Sequence, residues 1–133
     1  MKQFIFGSAF ALVLSLWSSQ GFAFNAVDFD AKAFQAAQSE DKVIIVDVFA
    51  TWCPTCKRQH KDLESILSDT KYKDVVTFKV DFDKKDVVKA FEKLIDKKIP
   101  RQSTIVIFKG KKLVAFSVAE RGEKLKNHLE KAF

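Results

Sequence analysis

Glycine and proline are scarce, four and two in 133 residues. That scarcity excludes collagen-like and low-complexity disordered architectures and points to compact regular structure. Cysteine is also scarce: two residues are too few for the cross-linked framework of a disulfide-stapled scaffold. A metal centre wants three or four ligands, and two cysteines with two histidines leave little choice. No segment repeats, and no run of one charge sign breaks the chain. The formal net charge of +6 comes from lysines interleaved with acids. That reads as a solvated surface, with no nucleic-acid footprint expected.

What is present begins at the N-terminus. Lys2 precedes an apolar run from Phe4 to Trp17, followed by Gly21-Phe22-Ala23. A short positive region, an apolar stretch and small residues at −3 and −1 predict a secretory signal peptide over 1–23. The run is too short for a membrane span. The expected organisation is a signal peptide at 1–23 and one domain over 24–133, exported to the periplasm. A single domain of this length folds without a disulfide staple.

Asp30 reads as a helix N-cap, with Phe29 and Phe34 as a hydrophobic staple, so 31–38 is expected to be helical. Val43 to Ala50 is a β-branched apolar run, the pattern of a strand covered on both faces. From Cys53 to about Ser68 the period turns helical, with Cys56, His60, Leu63 and Leu67 on one stripe. A strand is expected over 75–82. A helix follows, capped by Asp83 or Asp86, with Val87, Ala90, Phe91 and Leu94 inward. Two strands, 104–108 and 113–118, join through Lys109-Gly110-Lys111 as a hairpin. A last helix after Gly122 turns Leu125, Leu129 and Phe133 inward. Strand–helix–strand order with a hairpin predicts an α/β fold, a mixed central sheet with helices on both faces.

Cys53-Pro54-Thr55-Cys56 stands where a buried strand gives way to a helix. A helix N-terminus stabilises negative charge, so a Cys53 thiolate is favoured there. Pro54 suits the first turn. Cys53 is expected to be the exposed nucleophile and Cys56, one turn on, the resolving thiol. Asp47, a carboxylate inside the apolar strand, is costly unless it works or is paired. It is placed to take the Cys56 proton, with Lys79 as a candidate partner. A purely structural disulfide across two residues would constrain the unfolded chain little. An alternative uses Cys53, Cys56 and His60 in a metal-binding or metallochaperone domain.

Asp47-Val48-Phe49-Ala50-Thr51-Trp52-Cys53 with Cys56 and Lys57, together with Lys79-Val80-Asp81 and Thr104 to Gly110, resembles the thioredoxin family. The resemblance spans the chain after residue 23. It implies the thioredoxin fold and thiol–disulfide exchange with no cofactor. It also implies roles for Asp47, Trp52, Cys53 and Cys56. The partners implied are protein disulfide or dithiol substrates and a membrane thiol electron donor, with a monomer expected. Pro54 and Thr55, in place of a histidine within the turn, lean toward a reductase. Trp52, Pro54, Thr55, Gln102 and Ser103 are the expected substrate-docking residues. One departure stands out: where the family has a cis-proline before the hairpin strand, this chain has Ser103. Two consequences follow as expectations. Either Gln102 and Ser103 still offer backbone pairing to an extended peptide, or space opens beside Cys53 for a metal.

Overall fold

The strand from Val43 to Phe49 alternates its side chains between two layers of helix, and the rest of the molecule is arranged around it. The computed structural model describes residues 25–133. The elements run β1 (Ala26–Asp28), α1 (Ala31–Ser39), β2 (Val43–Phe49), α2 (Pro54–Leu67), β3 (Val76–Asp81), α3 (Lys85–Ile95), β4 (Thr104–Lys109), β5 (Lys112–Val118) and α4 (Gly122–Glu130). The sheet order is β1-β3-β2-β4-β5. β1 and β2 pair parallel to β3, while β4 is antiparallel to both β2 and β5. This is the expected mixed sheet, and its five strands and flanking helices form a thioredoxin fold.

Ile44, Val46 and Val48 face one layer with Phe34 and Ala37 of α1 and Val88 and Phe91 of α3. Val43 and Ile45 face the other, with Leu63 and Leu67 of α2 and Leu125 and Leu129 of α4. Asp47 shares the parity of Val43 and Ile45, so it lies on the α2/α4 face. Asp30 caps α1 as expected, accepting from the Ala33 N–H at 2.8 Å. The Phe29 and Phe34 rings close the staple at 5.6 Å. Gly110 turns the hairpin at φ +56°, and a Cβ there would lie 2.6 Å from Asp41 Oδ1.

Four expectations are corrected. β1 was not anticipated: three half-exposed or exposed residues carry no periodic signal. α3 begins after Lys84 with no side-chain cap, so neither Asp83 nor Asp86 caps it. Its buried residues are Val88 and Phe91, while Ala90 and Leu94 are exposed. Phe133 is exposed too, stacking edge-on against Tyr72 at 5.4 Å, and Ala132 takes the inward position. The expected signal peptide, 1–23, lies outside the described residues.

Candidate active site

The chain leaves β2 at Phe49 and turns tightly, the Cys53 N–H donating to the Ala50 carbonyl at 3.1 Å. Cys53 is the N-cap of α2, with extended backbone (φ −86°, ψ 110°), and Pro54 follows in the first turn. This puts the Cys53 sulfur over free N–H groups, and it accepts from the Cys56 N–H at 3.1 Å. Cys53 and Cys56 are joined as a disulfide. Cys53 is 2% exposed and Cys56 4%, so the expected exposed nucleophile is corrected. The N-cap tucks the Cys53 sulfur back over its own helix, leaving exposure unable to distinguish the two cysteines.

Asp47 and Cys56 line one cleft of about 520 Å³, together with Phe49, Lys57, His60 and Lys79. Asp47 is 2% exposed, and its Oδ1 receives no hydrogen bond among the described residues. Lys79 stands opposite it in register, yet the Lys79 ammonium pairs with Asp28 at 3.7 Å. The ionisable group within ion-pair distance of Asp47 is instead His60, Nδ1 to Oδ2 at 3.9 Å, a contact longer than a good hydrogen bond. Asp47 is the main cause holding the His60 imidazole above its ordinary value of 6.5. Partial burial opposes it, Glu64 adds to it and Lys79 subtracts.

His60 therefore does not belong to the buried stripe of α2. Gln59 does, with Cys56, Leu63 and Leu67, while the His60 side chain is 45% exposed. Among the described residues no group of three or more His, Cys, Asp or Glu is arranged to hold a metal ion. His60 makes ion-pair contacts with Asp47 and Glu64, each at 3.9 Å.

Ser103 departs most from expectation. No peptide bond of the described residues is cis, and Ser103 has φ +66°. Its N–H donates to the Val48 carbonyl at 2.9 Å, and its carbonyl accepts from the Ala119 N–H at 2.8 Å. Both groups are spent inward, so Ser103 has no free pairing to give a substrate strand. The second expectation, open space for a metal beside Cys53, is not met. The Ser103 Oγ fills that space, 3.3 Å from the Cys53 sulfur and 3.4 Å from that of Cys56. Gln59 Nε2 donates to the carbonyls of Ser103 (3.2 Å) and Glu120 (2.9 Å).

Trp52, Pro54, Thr55 and Gln102 remain as surface around the disulfide. Trp52 is 59% exposed, and its indole N–H donates to Asp83 Oδ2 at 2.9 Å. Pro54 is exposed, while Thr55 and Gln102 are half-buried. Gln59 and Asp83 were missed from sequence. Gln59 had a signal, since three residues after Cys56 and four before Leu63 is the inward face of the helix. Asp83 had none.

Residues 25–131 match the thioredoxin family model. The chain is 33% identical over 102 residues to thioredoxin-1 of Drosophila melanogaster, covering 75% of this chain and 86% of that protein. Among solved structures it resembles Trxlp from Edwardsiella tarda, with a TM-score of 0.69 and 30% identity. That match covers 79% of this chain and 98% of the other. It also resembles the thioredoxin of Malassezia sympodialis, with a TM-score of 0.64, 26% identity, and 80% and 91% of the two chains covered. With the disulfide in the Cys-x-x-Cys turn, the fold and these matches, the chain belongs to the thioredoxin family of protein-disulfide oxidoreductases and carries its dithiol pair at Cys53 and Cys56.

Proposed function

We propose that this chain is an exported reductase that acts on disulfides of periplasmic proteins, with Cys53 attacking and Cys56 resolving. The observation that carries the assignment is the Cys56 N–H donating to the N-cap sulfur of Cys53. In the reduced state that bond and the helix N-terminus favour the anion at Cys53. The Cys53 thiolate attacks one sulfur of a substrate disulfide. A Cys53–substrate bond forms, the substrate S–S bond breaks, and one substrate thiolate leaves. Asp47 then takes the Cys56 proton across the cleft. The Cys56 thiolate attacks the Cys53 sulfur, the Cys53–Cys56 bond forms and the second substrate thiolate leaves. The substrate has gained two electrons and the pair has lost two. A dithiol of a membrane electron donor restores them by the same exchange in reverse.

Trp52, Pro54, Thr55 and Gln102 form the docking surface, and the protein works as a monomer. The Pro54-Thr55 turn, without histidine, supports the reducing direction. The charged, apolar and small-residue pattern of 1–23 supports export.

Insulin reduction by the mature chain tests the reading. Cys53→Ser should abolish turnover, and Cys56→Ser should accumulate a mixed disulfide through Cys53. Turnover by Cys53→Ser, or a substrate adduct on Cys56 in Cys53→Ser with none in Cys56→Ser, contradicts the assignment. Fractionation of cells expressing the full chain should find a periplasmic protein beginning at Phe24. A cytoplasmic protein retaining Met1 contradicts export.

A further inference from the structure

We propose that the Ser103 hydroxyl is a catalytic hydrogen-bond donor that follows the negative charge from one active-site sulfur to the other during exchange. It lies at almost equal distances from the two, 3.3 Å from Cys53 and 3.4 Å from Cys56. In the disulfide neither sulfur carries a proton, so the hydroxyl is the donor in both contacts. A disulfide sulfur is a weak acceptor, whereas hydrogen bonds to an ionised partner are roughly twice as strong as neutral ones. The same hydroxyl therefore stabilises the reduced, anionic pair more than the oxidised one. Ser103 is fully buried, where water competes least.

The backbone is built to hold that aim. A left-handed φ of +66° is uncommon for a residue with a Cβ, and such conformations persist only where the surroundings over-determine them. Here the Ser103 N–H and carbonyl are fixed by Val48 and Ala119. Gln59, itself fully buried, ties the same carbonyl to that of Glu120. Gln59 is thus a positioning residue that acts through Ser103.

In the resting dithiol the O–H points to the Cys53 thiolate. Once Cys53 is in the mixed disulfide and Asp47 has the Cys56 proton, a rotation of the hydroxyl serves the Cys56 thiolate. No bond at Ser103 forms or breaks, so the electron balance of the exchange is unchanged. The inference rests on Cys53 as the attacking sulfur.

The test uses the reduced mature chain with Ser103→Ala and Ser103→Gly. Both remove the hydroxyl, and only the glycine also relieves the left-handed backbone, so a folded variant is expected even if alanine fails. Iodoacetamide alkylation against pH, with the modified cysteine identified by mass spectrometry, reads the thiol titration. Both variants should raise the Cys53 pKa by about one unit, a tenfold loss of thiolate. Both should become harder to reduce by about tenfold against glutathione, about 30 mV more negative. Gln59→Met should move both quantities the same way by less. A Cys53 pKa and potential unchanged in the folded variants, or changed in Ser103→Gly but not in a folded Ser103→Ala, overturns the role of the hydroxyl. Wild-type alkylation at Cys56 before Cys53 instead overturns the assignment of the attacking sulfur.

Discussion

On the α1/α3 side of the sheet, Phe34 packs against four other phenylalanine rings, with centroids from 5.3 Å (Phe108) to 6.0 Å (Phe78). On the α2/α4 side the core starts in the same way, with Val43 and Ile45 against Leu63 and Leu67. It then ends in a row with three polar members: Lys79, Asp47 and Ser117 stand abreast with Ile105 across β3, β2, β4 and β5. Asp47 Oδ1 and Ser117 Oγ there receive no hydrogen bond among the described residues. Close-packed rings contribute stability by burial and edge contacts, whereas an unsatisfied buried polar atom costs stability. One strand serves both layers because its side chains alternate. The phenylalanine layer holds the fold, and the other layer has the carboxylate and the sulfurs.

The sharpest way to break that comparison is in the aromatic layer. Phe34→Ala should cost about 3–5 kcal/mol of stability, read by urea unfolding. The reduction potential of the folded remainder should not move. A shifted potential would mean that the layers are not separable. On the other side, Asp47→Asn should slow mixed-disulfide resolution by about a hundredfold, the low end for a lost general base. Unfolding of the oxidised variant should show no comparable loss of stability, because asparagine has nearly the same shape and leaves no cavity. Stopped-flow resolution measured from pH 6 to 9, about the window of ordinary thiol titration, checks it, and an unchanged rate removes the role.

A smaller effect belongs to the aromatic layer's entrance. Asp30→Ala removes the α1 cap and should cost about 1 kcal/mol with no change in exchange rate. The smallest is a pH effect at His60. Its folded-state titration is raised above 6.5, chiefly by Asp47. The stabilisation from that pair is therefore complete below pH 6.5 and is lost as pH rises through the folded value. The side chain is 45% exposed, so screening keeps the effect small. His60→Gln should flatten that fall in stability above pH 6.5; an unaltered pH profile would show the contact to be idle.

Most of the fold was readable because burial imposes period. The apolar run of β2, the Asp30 cap with its staple and the Gly110 turn each have a local cause. The Cys-x-x-Cys turn was readable for the same reason, and Asp47 stood out as a charge in an apolar strand. What escaped depends on contacts distant in sequence. His60 and Gln59 are adjacent on α2, and the exact phase of the helix decides which of them is buried. Asp83 meets Trp52 only because β2 and β3 end side by side. The conformation of Ser103 is set by Val48, Ala119 and Gln59, none of them its neighbour in sequence. Serine in place of proline was visible, but the direction of its hydroxyl was not.

The reduction potential of the Cys53–Cys56 pair in the folded chain, equilibrated against dithiothreitol and glutathione buffers, tests the central claim most directly. A reductase of this family should lie near about −270 mV. A value near about −120 mV would make the protein an oxidant of its substrates and contradict the proposed direction of electron flow.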